Sequence, residues 1–189
     1  MACKVDTKRL QLTPFGPAHI SDTYVGWLND PALMSFSQHG GRVHSKTSCR
    51  DYAASFDHTS RCLWAIETHD GTHIGNINAY ITTDQGLADI GLLVGHGAGG
   101  QGYGLEAWQG TIAALFDHYK LRKVTGGCLA PHQAMRRIMD RSAMEADGTR
   151  HNHFVHNGTP VDVVHMAIFS KAFMMLPGII CTSVQAPKW

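Results

Sequence analysis

Apolar residues recur along this chain with two different periods, and the switches between them lay out its elements. Leu10 and Leu12 fall on one side of an alternating run at 8–13, which predicts a strand. Ile20, Tyr24, Trp27 and Leu28 then recur at helical spacing, and Asn29-Asp30-Pro31 closes that helix. Ser45 stands as an N-cap before a second helical stripe of Cys49, Tyr52, Ala53 and Phe56. Two strands follow at 62–67 and 73–81, joined by Asp70-Gly71, and a turn at 84–86 leads into a third at 87–94. The clearest helix spans 101–119, with Leu105, Trp108, Ile112, Leu115, Phe116 and Tyr119 on one side. Gly110 sits in its middle, at a cost of ~1 kcal/mol relative to alanine. A buried strand at 123–129 precedes a short helix opened by Pro131 and carrying Met135, Ile138 and Met139. Asn157-Gly158 is a hairpin signal between strands at 150–156 and 160–169. The order β-α-α-β-β-β-α-β-α-β-β is that of a mixed α/β domain, with antiparallel hairpins around a strand–helix–strand–helix centre.

Length and charge narrow the function. At 189 residues the chain suits one domain, with a core at about 8–171 and a tail at 172–189. A formal net charge of +1 gives no bulk attraction to nucleic acid or to a membrane surface. Residues 1–10 carry Lys4, Lys8 and Arg9 with no apolar run behind them, unlike a secretory leader. The apolar stretch 172–180 is broken by Pro177 and Gly178 and is too short to span a bilayer. Five cysteines without a Cys-x-x-Cys pair read as reduced thiols, so a cytoplasmic protein is expected.

The chemistry concentrates at 94–107. Glycines at 95, 97, 99, 100, 102 and 104 lie between a buried strand and a strongly amphipathic helix. Such a loop lets backbone N–H groups and a positive helix end close on an anion, typically phosphate. The plainer reading is a pliable surface connection; the strand before and the helix after favour the anion. There is no Gly-Lys-Ser/Thr ending, and no glycine at 105, so neither a P-loop nor a dinucleotide fingerprint fits.

Gly99-Gly100-Gln101-Gly102-Tyr103-Gly104, continuing through Leu105-Glu106-Ala107, resembles the pyrophosphate signature of the GNAT superfamily, Gln/Arg-x-x-Gly-x-Gly/Ala. Gly99 stands where Gln or Arg is usual, which removes one side-chain contact. Further segments resemble the branch of Rim-type N-terminal and amino-sugar acetyltransferases. They are Tyr24-Val25-Gly26-Trp27-Leu28-Asn29-Asp30-Pro31, His73-Ile74-Gly75-Asn76-Ile77, Ala88-Asp89-Ile90-Gly91-Leu92 and Gly127-Cys128-Leu129-Ala130-Pro131. The resemblance implies a splayed, mostly antiparallel GNAT sheet with helices on both faces, and acetyl-CoA as donor without a metal. It implies that backbone groups of Leu92, Leu93 and Val94 pair with the pantetheine arm. Gly99, Gly100, Gln101, Gly102, Tyr103 and Gly104 would hold the pyrophosphate, and His132 and Met135 would flank the thioester end. His132 replaces the usual Asn, Met139 the frequent Tyr acid, and Ala143-Met144 the usual Gly-Phe.

Acetylation needs a neutral amine, and amines are mostly protonated at neutral pH. Asp89 is the candidate general base, on the strand leading to the loop and on the face opposite Ala88, Ile90, Leu92 and Val94. Against this stands an Asp that is merely hydrogen-bonded on a strand face. Trp27, His44, Asn76 and Asn78 are the acceptor-side candidates, with His39 and Arg42 in the same loop as His44. His151, His153 and His156 suggest a metal, but a two-residue turn puts His156 on the other face. An imidazole–carboxylate pair of His153 with Asp162 is expected instead. The expected activity is direct acetyl transfer to a primary amine of a small molecule, an amino-sugar nucleotide among them. The alternatives are the α-amine of a protein N-terminus and, in another class, a catalytically silent acyl-CoA-binding protein. A homodimer is a candidate assembly, with the tail at 172–189 packing on the sheet or on a second subunit.

Overall fold

The structure is a computed structural model that describes residues 3–37 and 40–173, and the backbone of 181–185. His39 and the apolar stretch 174–180 lie outside the described residues. One nine-stranded sheet organises the chain. Its strands are β1 (Lys4–Thr7), β2 (Leu10–Pro14), β3 (Arg61–Thr68), β4 (His73–Thr82), β5 (Leu87–Val94), β6 (Lys123–Leu129), β7 (Glu145–His156), β8 (Thr159–Phe169) and β9 (Cys181–Gln185), in the order β7-β8-β6-β5-β4-β3-β2-β1-β9. Helices α1 (Asp22–Leu28) and α2 (Lys46–Ala54) cover one face; α3 (Tyr103–Asp117) and α4 (Gln133–Arg141) cover the other, with a short α5 (Ser170–Phe173).

Alternation explains the two cores. Ile77, Ala79, Ala88, Ile90 and Val124 meet Trp108, Ile112 and Leu115 of α3 on one face. Leu63 and Ala65 meet Tyr24, Trp27, Cys49 and Phe56 on the other. The predicted elements appear with shifts of a few residues, and Ser45 accepts from Ser48 N–H as the expected cap of α2. Two strands fall outside the predicted core. β1 pairs antiparallel with β2, and β9 from the tail adds itself to β1.

The decisive feature is where β5 and β6 meet. Among the described residues they are the one parallel pair, and they pair only over Leu87–Asp89 against Lys123–Thr125. Beyond Asp89 the strands part, while β5 stays paired with β4 through Val94. The sheet is therefore split in its middle, and the split opens toward residues 95–102 and the start of α4.

Gly110 is required where it stands. A Cβ there would come 2.8 Å from Thr7 Cγ2, so the glycine lets α3 lie against β1. The His-rich hairpin differs from expectation. The Asn157-Gly158 turn forms as predicted, pairing His156 with Thr159, but the register breaks between Arg150 and Phe154. Asp162 consequently accepts from Asn152 N–H and pairs with His151 (3.1 Å) rather than with His153. Among the described residues no group of three His, Cys, Asp or Glu side chains is placed to hold a metal.

Candidate active site

A cavity of about 610 Å³ fills the split and continues under α1 and α2. Asn76 and Asn78 of β4, Asp89, Leu92 and Leu93 of β5, His44 of the loop before α2, and His132 and Met135 at the start of α4 all line it. Val94 and residues 99–104 lie past its end, where β5 hands over to α3. Gly104 packs there, its absent Cβ 3.4 Å from Leu92 and Val94 side-chain atoms and 3.2 Å from Ile138 Cδ1.

The loop itself is shaped by its neighbours. Gly100 and Gly102 have φ of 75° and 81°, and Gly102 is the N-cap of α3 with no side chain to satisfy the free N–H groups. Glu106, in the first turn of α3, is 5% exposed and accepts from Thr7 Oγ1 (2.7 Å), Arg9 N–H (2.7 Å) and Arg9 Nε (2.6 Å). Burial works against its charge, but those hydrogen bonds and the guanidinium prevail and hold the carboxyl below its usual range. Arg9 Nη1 also donates to Gln101 O (3.0 Å), and the guanidinium lies 4.6 Å from the Tyr103 ring centre. The β1–β2 turn thus pins the glycine loop from outside.

Trp27 is not where the sequence reading put it. It does not line the cavity. It is 6% exposed, and a Cβ on Gly95 would come 2.2 Å from its indole, so the ring lies directly under the first glycine of the loop. The adjoining residues serve the same junction. Asn29 clasps the main chain of His44, donating to its carbonyl (2.8 Å) and accepting from its N–H (2.8 Å). Asp30 pairs with His96 at 3.0 Å.

On the α1/α2 face of the split stand Asn76, Asn78 and Asp89. Asn78 sits opposite Gly91, and a Cβ there would come 2.8 Å from its Oδ1. Asp89 Oδ2 accepts from Thr125 Oγ1 at 2.7 Å. The carboxylate is reachable from the cavity, yet the surrounding walls exclude enough water to raise its pKa. The Thr125 hydrogen bond, His165 and Arg150 moderate that rise without reversing it. At the other end His132 stacks on Phe36 (4.4 Å, 8°), which stacks on His156 (4.8 Å, 17°), and burial lowers the His132 pKa. Met139, at the position of the frequent acid, is fully buried and offers none.

Sequence reasoning passed over Trp108, which lines the cavity from the α3 side, and His165 of β8. A Cβ on Gly126 would come 2.7 Å from the Trp108 ring, and one on Gly127 2.9 Å from His165 Nδ1. The glycine pair at 126–127 was the signal for both, but reading it required the β6–β8 pairing, Gly127 against His165.

Comparison with known proteins decides the family. The model of the acetyltransferase (GNAT) domain matches residues 9–145. The chain belongs to the GNAT acetyltransferase family. Solved structures agree on the fold. An acetyltransferase of the GNAT family from Bacillus anthracis superposes with a TM-score of 0.77 at 18% identity, covering 89% of this chain and 99% of its own. Spermidine N-acetyltransferase from Vibrio cholerae, in complex with CoA and spermine, gives 0.80 at 15% identity, covering 87% and 98%. A ribosomal L7/L12 α-N-protein acetyltransferase, RimL, in complex with coenzyme A gives 0.78 at 17%, covering 88% and 97%. No curated protein matches the sequence significantly. This GNAT chain is thus an acetyltransferase that uses acetyl-CoA as donor, in a mixed α/β fold with the split sheet described above. Among its described residues no helix is long and apolar enough to cross a membrane.

Proposed function

We propose that this GNAT enzyme transfers acetyl directly from acetyl-CoA to a primary amine of a small molecule, within one ternary complex. The observation that carries the reading is the continuity of the cavity. It runs from the unpaired edge of β5 to a polar chamber holding Asn76, Asn78 and Asp89. The residues present fit the donor. Leu92–Val94 have no partner strand on the β6 side, which leaves main-chain groups for the pantetheine amides. The space beside Gly97, Gly99 and Gly100 is open, and the N–H groups at the start of α3 are free for a pyrophosphate. Gly99 gives up the usual side-chain contact there, so the main chain of 100–104 carries the binding. His132 and Met135 flank the inner end.

The acceptor chamber speaks about the amine. Asp89 is the one carboxylate among the described residues lining it, beside the apolar Leu28, Leu33, Met34 and Val43. A polyamine with several ammonium groups finds little complementary charge there, although a spermidine enzyme shares the fold. A single amine on a larger polar body fits better. The Trp27-Leu28-Asn29-Asp30-Pro31 and Ile74-Gly75-Asn76-Ile77 segments, which resemble the amino-sugar branch, put an amino-sugar nucleotide first and a protein α-amine second.

The test is calorimetric titration with acetyl-CoA, beside Gly102→Asp, followed by turnover of four acceptors. These are a UDP-linked amino sugar, glucosamine, a peptide with a free α-amine, and spermidine. Saturable binding that Gly102→Asp abolishes, with turnover of a sugar amine, is expected. Binding without turnover of any amine would instead indicate a silent acyl-CoA-binding protein, and absence of binding would sink the reading.

A further inference from the structure

Four buried side-chain polar atoms among the described residues have no hydrogen-bond partner: His44 Nε2, His58 Nδ1, Asn76 Oδ1 and His165 Nε2. Three of the four residues, all but His58, line the same cavity. A buried polar atom left unpaired costs about 1–3 kcal/mol, so three around one space describe a site built for a ligand's donors. Asn76 Oδ1 can only accept, and an imidazole nitrogen accepts when neutral.

Strand register places them. Asp89 of β5 lies opposite Thr125 of β6, and His165 of β8 lies opposite Gly127, two residues further toward the opening on the same face. The His165 ring occupies the volume that a Cβ on Gly127 would take. Asn76 lies on that same face of β4, across from Leu93. The charged and titratable groups facing this space are Asp89 of β5, Tyr80 of β4, Glu145 and Arg150 of β7, Tyr24 of α1, Cys49 and Tyr52 of α2, Arg42 and His44 of the facing loop, and His132.

We propose that His165 takes the proton from the acceptor ammonium, with Asn76 and Asp89 holding the other N–H groups. The assignment rests on the acetyltransferase reading above. A primary ammonium offers three donors, and these residues supply three acceptors from β4, β5 and β8. The His165 Nε2 atom is buried and unpartnered, and a neutral imidazole nitrogen can accept a proton there and release it again. One proton passes from the ammonium to His165 Nε2, and the freed nitrogen forms the bond to the acetyl carbon. The C–S bond breaks with its electrons on sulfur, which receives the second nitrogen proton. His165 then returns its proton to water.

The test measures kcat and KM from pH 5.5 to 9 on whichever of the four acceptors is turned over, at saturating acetyl-CoA. His165→Gln should lower kcat by about 100-fold or more, the usual range for a lost general base. It should also remove the acid limb of the profile while leaving acetyl-CoA affinity within about twofold. Asp89→Asn and Asn76→Ala should each raise the amine KM and leave the limb in place. A His165→Gln enzyme that keeps its acid limb overturns the assignment while the acetyltransferase reading stands. If the unmutated protein acetylates none of the amines, both fall.

Discussion

Trp27 was expected in the acceptor site and lies instead beneath Gly95, and a substitution at 95 tests that placement. An alanine Cβ would sit 2.2 Å from Trp27 Cε2 and 2.3 Å from Cζ2. Carbon atoms rest at about 3.5–4.0 Å, so ring or backbone must move by more than ~1 Å. Neither moves freely. The indole is buried beside the His73 ring at 5.3 Å, and Gly95 N–H donates to Ile74 O at 2.8 Å. Overpacking costs about 1–3 kcal/mol, and two stiff partners put Gly95→Ala near ~3. For a domain of this size that lowers Tm by roughly 6–12 °C. Trp27→Ala alone should cost about 4 kcal/mol as a cavity. In that background the methyl group added by Gly95→Ala enters vacated space, so the double variant should also lose about 4, not the additive ~7 kcal/mol. Urea unfolding followed by circular dichroism measures all four proteins. A Gly95→Ala protein as stable as the parent, or an additive double variant, would refute the contact.

Two further outcomes follow from the geometry. Burial, then the nearby His19, lower the His73 pKa, so the folded state resists protonation that the unfolded chain accepts. Stability is therefore fully present above about pH 6.5 and falls as pH drops through and below it, by at most ~1.4 kcal/mol per pH unit for one such group. Urea midpoints at pH 7.5 and 5.5 should differ, and His73→Gln should narrow that difference; an unchanged difference counts against the account. Ala143 follows α4 at a φ of 53°, a left-handed conformation that favours glycine. Ala143→Gly should raise stability by about 0.5–1 kcal/mol, the left-handed cost less the added chain entropy. A calorimetric Tm that falls would contradict the strain.

What was legible in the sequence followed from local periodicity. Leu105 through Tyr119 announced α3, Ser45 announced the cap of α2, and Asn157-Gly158 announced the hairpin, because each signal lies within a few residues of its consequence. β1 was missed because four residues bury only Val5 and Thr7 and gain their place from β2 and β9. The His151–Asp162 pair was displaced by a register break that no spacing rule contains. Asp89 could be assigned to a face by counting along β5. His165 could not be brought to the same face without knowing that β8, not β7, lies beside β6. Trp27 was misplaced because helical spacing says which side of α1 is apolar and not which backbone it meets.

Gly91 of β5, Gly95 just past its end, and Gly126 and Gly127 of β6 show how such long-range information is nonetheless written in the chain. Each marks the place of a large side chain arriving from elsewhere. Asn78 lies over Gly91, Trp27 under Gly95, Trp108 against Gly126 and His165 against Gly127. A strand interior loses stability at glycine, so Gly91, Gly126 and Gly127 beside the split imply that the filled volumes matter more than the strands' own rigidity. Two of the four visitors, Asn78 and His165, are polar residues lining the cavity, and Trp108 closes the space from the α3 side. The missing Cβ atoms therefore fix the cavity's outline: the glycines set where the wall stands back, and the arriving side chains set what the wall presents. Substituting Gly91, Gly126 or Gly127 should disturb the shape of the cavity before it disturbs the glycine loop, because the loop is anchored separately, through Glu106 and Arg9 from outside. Gly95 alone joins the two, being both the last support of the split and the first residue of the loop.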